Sequence, residues 1–374
     1  MKLGFGRHIR PLWTLEDVDF LNHGSFGATP IPVRLEQQRW RDRFDAQPVR
    51  FVMRELPVQM RDVADRLGAF LGAEGRDLVW MDNATTGIAT VLAAQNPQPG
   101  DEWLTTDHVY GAVRKAMHHL GAGCGVRVVE AAVPFPNPTA EAVVSAVEAA
   151  FSDRTRLLVI DHITSFSGLI FPVERLIALA QSRGVPVLVD GAHAPGMLPL
   201  NVAALGADYY VGNCHKWLFA PKGCAFLWAH RERQAALRPL AISHGVDDGF
   251  TGAFDWTGTR DPSPWLALPE AIRFAESMPL DAMRAYNADL LGEAVARITE
   301  VGVFPAAPAT MRPFMATFPV PPHLDGATLH DRWWDDHRIE VPVFPWGGRW
   351  WFRISAQVYN EPAQYERLAS VLRA

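Results

Sequence analysis

Cysteine is scarce in this chain, three residues in 374, at positions 124, 214 and 224. An odd, sparse set without paired spacing excludes a disulfide framework and offers no zinc-type ligand pattern, so no metal is expected. No apolar run approaches the ~18 residues needed to cross a bilayer. The opening residues MKLGFGRHIR carry charge where a secretory leader needs its apolar centre. Charge of one sign is lacking too: 35 basic and 41 acidic residues are intermixed, for a net charge of -6. That excludes the basic footprint of a nucleic-acid binder and a polybasic membrane patch. A glycine-rich fingerprint between strand and helix is absent, which argues against a dinucleotide site. These absences together imply a soluble, cytoplasmic protein whose partner is a small molecule.

What is present is ordinary globular composition, 48% hydrophobic and 20% charged, and enough length for one large domain plus a smaller one. Residues 32–45 and 57–71 have helical periodicity. The segment RLLVID at 156–161 reads as a buried strand ending on an acid. A helical stretch at 172–184 follows, with Val173, Leu176, Ile177 and Ala180 on one face and Gly184 as its cap. VPVLVD at 185–190 and DYYVGN at 208–213 read as the next strands. Strand, helix, strand with crossovers of this length implies α/β architecture, a mostly parallel sheet covered by helices. Ligands of such sheets bind at the carboxyl ends of the strands, where Asp161 and Asp190 fall. After about residue 255 the texture changes. The turn Asp261-Pro262-Ser263-Pro264 leads into a long helical stretch from Leu266, and strands are expected at 339–344 and 349–355. The expected division is a large domain over 20–255 and a smaller α+β domain over 256–374 that includes residues 1–19.

Three elements of the sheet region suit one cofactor. Asp190, fixed at a strand end, can pair with a protonated pyridine nitrogen and keep the ring an electron sink. Lys216, 26 residues later in GNCHKW, is an amine whose pKa falls when buried, so that it can attack an aldehyde. Asn83-Ala84-Thr85-Thr86-Gly87 opens a helix, and free N–H groups and hydroxyls at a helix start can hold a phosphate dianion. Singly, these read as a turn, a solvent-reaching lysine and a plain cap. Their order and spacing carry the specificity.

The trio resembles the class V aminotransferases, a branch of fold-type I pyridoxal-phosphate enzymes, over most of the chain. Within that branch it is most similar to the isopenicillin N epimerase-like group. The strings that carry the resemblance are NHGSFG at 22–27, NATT at 83–86, DHVYG at 107–111, DGAH at 190–193, HKW at 215–217 and RISAQVYN at 353–360. It implies a large domain with a mostly parallel seven-stranded sheet and a smaller α+β domain. It also implies pyridoxal 5'-phosphate bound as a Schiff base to Lys216.

Further roles follow from the resemblance alone. Ala84, Thr85, Thr86, Asn213 and His215 would hold the phosphate, His108 would stack on the pyridine and His193 would reach the phenolic oxygen. Relatives commonly carry Ser or Thr shortly before the lysine, where this chain has Asn213 and Cys214. Asn22, His23 and Arg353 would face the substrate, Arg353 gripping an α-carboxylate through its planar fork. Thr259 would reach the phosphate of a neighbouring subunit, so that a homodimer shares its active sites. Read without the family, His108, His193 and His215 are strand-end or loop histidines, Thr259 lies in an ordinary loop, and Arg353 forms an interdomain salt bridge.

The implied reaction starts at the α-carbon of an amino acid, with Lys216 as general base and Tyr110 or His108 as a second acid. Reprotonation gives epimerisation or racemisation, proton transfer to the cofactor gives transamination, and loss of a β-substituent gives a C–S lyase of the ergothioneine-pathway type. A persulfide-forming desulfurase is argued against, because all three cysteines precede residue 225. A non-catalytic binding protein is the reading outside enzymology. Thirteen tryptophans, several of them near residues 333–351, suit either an aromatic-lined pocket or domain packing.

Overall fold

Continuous apolar runs become the central strands. The computed structural model describes residues 4–373; Met1–Leu3, which open the charged N-terminal stretch, and Ala374 lie outside the described residues. The first strand, β1 (Asp19–Phe20), is two residues long. Seven more build one sheet: β2 (Leu78–Met81), β3 (Glu102–Thr106), β4 (Arg127–Ala131), β5 (Thr155–Asp161), β6 (Val187–Asp190), β7 (Tyr209–Asn213) and β8 (Ala225–Ala229). Their spatial order is β2-β8-β7-β6-β5-β3-β4. β8 runs antiparallel to both its neighbours, β2 and β7, and the other pairings are parallel. A parallel return needs a crossover of a dozen or more residues, and the helix-free link 214–224 is too short for one. Lys216 sits on that link.

Helices cover both faces of the sheet, so the strands are apolar on both sides. Leu158, Ile160, Val187 and Val189 pack with the helices Leu56–Leu71 and Val173–Ser182. Leu157, Val159, Leu188 and Val211 pack with Ile88 and Val91 of the helix Ala84–Ala93, and with Val113 and Met117 of the helix Gly111–Cys124. The expected helix at 172–184 ends at Ser182. Gly184 then takes a φ of +67° and Val185 N–H bonds Ala180 O at 3.0 Å, closing the last turn.

The C-terminal part adds β9 (Met315–Pro319), β10 (Ile339–Glu340), β11 (Val343–Trp346) and β12 (Arg349–Ser355). A three-stranded antiparallel sheet runs β11-β12-β9. Phe318, Phe352 and Ile354 pack there with Leu290 and Ile298 of the helix Leu280–Thr299 and with Leu368 of the helix Pro362–Val371. The N-terminal segment joins this part, since β1 pairs in parallel with β10. Two expectations are corrected, both by proline. The single strand at 339–344 is split into β10 and β11 by Pro342, which has no N–H for a ladder. The long helix from Leu266 is three pieces, Ser263–Leu266, Leu268–Ser277 and Leu280–Thr299, and Pro279 stands before the last.

Candidate active site

The carboxyl ends of β5, β6 and β7 open into a cavity of about 440 Å³, floored by Asp161, Asp190 and Asn213. Parallel pairing sets Asp161 beside Asp190. Both carboxyls are buried, which favours their neutral forms, but they are not equivalent. Asp190 accepts from Ala192 N–H at 2.9 Å and lies near Lys216, and both interactions favour its anion. Burial and the charge of Asp190 push the Asp161 carboxyl well up, and its Oδ2 has no partner among the described residues. Asp161 is therefore the acid that holds a proton and Asp190 the better anion.

The start of the helix Ala84–Ala93 forms one wall. Asn83 caps it, its Oδ1 accepting from Thr86 N–H at 2.9 Å and from Thr86 Oγ1 at 3.2 Å. Asn213 Oδ1 accepts from Ala84 N–H at 2.8 Å, tying the end of β7 to the same helix. Thr85 lines the cavity at the second position of this helix, where a backbone N–H has no intrahelical partner, which makes this a donor site for an anion. Thr86 does not line the cavity; its contribution is to the cap. His215 lines it, with Nδ1 3.2 Å from Cys224 O. A carbonyl only accepts, so Nδ1 carries the proton there. Burial and the charges of Lys216 and Lys222 lower the His215 pKa to about 4, and a phosphate dianion alongside would raise it again.

Lys216 enters from the 214–224 link. Its Nζ is 3.0 Å from His193 Nε2. Burial first, then the charge of Arg353, brings its pKa down to about 7, against the opposing pull of Asp190 and Asp161. The link is braced by close approach of the 22–27 segment. Gly27 has φ +69°, and a Cβ there would sit 2.2 Å from His215 O and 2.8 Å from Lys216 Cα, so only glycine fits. Tyr110, at the N-cap of the helix Gly111–Cys124, lines the mouth and is 45% exposed.

Several expected positions turn away from the cavity. His108 is fully buried, stacked on Phe166 at 5.1 Å and bonded through Nδ1 to Ser167 Oγ at 2.7 Å; it does not line the cavity, whereas Tyr110, two residues on, does. Asn22 and His23 do not line the cavity either. Asn22 Nδ2 donates to Glu340 Oε1 at 2.8 Å, and its Oδ1 accepts from Ser25 Oγ. His23 bridges Tyr359 Oη at 2.7 Å and Lys216 O at 3.0 Å, so it holds the lysine's backbone from behind. The Arg353 guanidinium is buried one layer back, donating to Ser165 O and to Ser25 Oγ at 3.3 Å, while Ser25 and Ser165 themselves line the cavity. Thr259 is exposed and outside this cavity. Ser25, Phe26, Asp161, Ser165 and Lys222 are among the lining residues that sequence reasoning did not assign to the site. Ser25 and Phe26 lie inside the 22–27 string, and Asp161 was visible only as a strand-end acid.

Comparison with known proteins gives the family and the fold. A solved structure similar to this chain at TM-score 0.84 is a mutant of the cystine C–S lyase C-DES with glycine covalently linked to its pyridoxal-phosphate cofactor, 19% identical, covering 97% of this chain and 98% of that one. The fold is thus that of fold-type I pyridoxal-phosphate enzymes. The Aminotransferase class-V family matches residues 49–330. Isopenicillin N epimerase of Amycolatopsis lactamdurans is 35% identical over 94% of each chain, and the putative L-cysteine desulfhydrase 1 of Oryza sativa subsp. japonica is 32% identical over 93% of this chain and 81% of its own. The chain belongs to the class V aminotransferase family and is a pyridoxal-phosphate enzyme. The cavity fits that cofactor: an N–H without an intrahelical partner at a helix start for its phosphate, a strand-end carboxylate for its ring and an amine of lowered pKa for its aldehyde.

Proposed function

We propose that the protein acts at the α-carbon of an amino acid, as an epimerase, racemase or aminotransferase, with Lys216 as the amine that carries the cofactor and moves the α-proton. One observation carries the reading: the Lys216 amine, near pKa 7, projects into the same cavity as Asp190, Thr85 and Tyr110. The bound cofactor supplies an electron sink adjoining the α-carbon. The chain supplies the rest. Thr85 N–H, with Asn213 and His215, holds the phosphate end, and Asp190 holds the ring nitrogen's proton. His193 donates to the phenolic oxygen. Lys216, once released, is a base at neutral pH because its pKa matches the medium. Tyr110 at the mouth is the second proton donor that epimerisation requires. Arg353 anchors the substrate carboxylate, directly or through Ser25 and Ser165. Thr259, exposed on its own protomer, serves the neighbouring site of a homodimer.

A second reading, β-elimination by a C–S lyase, is favoured by the similarity to the L-cysteine desulfhydrase. It needs no further residue, with Tyr110 protonating the leaving group. Persulfide chemistry on a protein thiol is not favoured, since Cys214 and Cys224 are fully buried and Cys124 ends the helix Gly111–Cys124 away from the cavity. Incubation of the holoprotein with a panel of L-amino acids in deuterium oxide separates the outcomes. Deuterium at the α-carbon with inverted configuration is expected. Keto acid without inversion assigns transamination, pyruvate with ammonia or sulfide assigns elimination, and no exchange with any amino acid overturns the proposal.

A further inference from the structure

Trp217 follows the lysine directly and is buried, its ring 5.7 Å from Phe314 and 4.8 Å from His23. Packing accounts for the ring, but not for the direction of its N–H. Indole Nε1 donates to His193 Nδ1 at 3.2 Å. An indole nitrogen can only donate, so Nδ1 is bare and a neutral His193 carries its proton on Nε2. The groups that face His193 are Lys216, Arg353, His215 and His23; burial first, with the cationic Arg353 nearby, keeps the imidazole neutral. Nε2 in turn lies 3.0 Å from Lys216 Nζ. An Nε2–H can only donate there, so the lysine nitrogen must accept, which an ammonium cannot do. The chain indole, imidazole, amine thus points its protons one way, from Trp217 toward the cavity.

We infer that Trp217 is a positioning residue that locks His193 in its Nε2–H tautomer, so that His193 is a fixed donor toward the Lys216 amine and, in the holoenzyme, toward the cofactor's phenolic oxygen. The first half stands on the chain alone; the second rests on the function proposed above. The tautomer is a further determinant of the lysine's charge state, beyond burial and the charge of Arg353: with Nε2–H in place, protonating Lys216 sets two donors head to head.

The test is nitrogen-15 NMR of histidine side chains in the full-length apoprotein, with the His193 signal assigned from His193→Gln. In the wild type His193 should show a pyridine-type Nδ1 and a pyrrole-type Nε2 at neutral pH. In Trp217→Phe, which keeps the ring and removes the donor, an Nδ1–H population should appear. In the holoenzyme of that variant, the pH at which the bound cofactor's visible absorption titrates should rise by about one unit, a tenfold change in proton affinity, with kcat falling more than KM. A wild-type His193 protonated on Nδ1 overturns the inference, and that spectrum decides even where Trp217→Phe does not fold. An unchanged tautomer in a folded Trp217→Phe overturns it as well. A chain with the stated tautomer that takes up no cofactor refutes the proposed function and leaves the tautomer lock standing.

Discussion

At the scale of single residues, the decisive quantity is the charge on Lys216. A lysine whose pKa falls to about 7 on folding binds a proton less readily in the folded state than in the unfolded one, where the value is about 10.4. The folded state then holds fewer protons between those two values, so this group's contribution to stability rises with pH across that window and is least favourable below pH 7. Urea unfolding of the apoprotein between pH 6.5 and 9.5 should show Lys216→Met more stable than wild type at the acid end, by about 1.4 kcal/mol for each unit of depression, with the gap closing as pH rises. Parallel curves would mean that the ammonium is comfortably solvated. The placement of Asp190 and Lys216 at one sheet edge was legible in the sequence because Asp190 ends β6 and Lys216 lies three residues past the end of β7, local events marked by apolar runs. Asn22, His23 and His108 do not line the cavity, for a physical reason. A string can mark a segment that borders the site, but which side chain of it faces inward depends on contacts hundreds of residues away, such as Asn22 with Glu340 and His23 with Tyr359.

At the scale of elements, the helix Ala84–Ala93 does most to shape the anion end. Its start is held twice, by Asn83 from within and by Asn213 from β7. Asn83→Ala should cost about 1 kcal/mol of stability, as loss of an N-cap typically does, and should weaken inorganic phosphate or cofactor binding through a frayed first turn. Calorimetric titration and urea midpoints together check this; an unchanged midpoint would mean that Asn213 alone sets the helix start. The strands β5, β6 and β7 and the helix between β5 and β6 were readable from apolar runs and periodicity. The breaks at Pro279 and Pro342 were not. A proline inside an apolar stretch signals an interruption, but whether the chain resumes in line or turns is set by what it packs against, here the core around Leu290, Phe318 and Ile354.

At the scale of the whole molecule, the sheet order and the antiparallel β8 could not be read from the chain, although the short 214–224 link that forces β8 to reverse is plain once seen. Thr259 raises a question of assembly, because it is exposed and lies outside the cavity of its own protomer. If it completes the site of a neighbour, Lys216→Ala and Thr259→Ala chains, each impaired alone, should complement when unfolded and refolded together. Recovery should approach about a quarter of wild-type activity, the statistical share of intact sites in randomly mixed dimers. No recovery in a mixture shown by sedimentation to be dimeric would place Thr259 outside the partner's site. No described helix is long and apolar enough to cross a membrane.

The amine at position 216 is the point on which the function depends, and reduction of the holoprotein with borohydride tests it most directly. Peptide mapping by mass spectrometry should find the pyridoxyl adduct on Lys216 and on no other lysine, with the label lost in Lys216→Ala. An adduct on Lys222 or Lys115, or none at all in a protein that has visibly taken up the cofactor, would contradict the account.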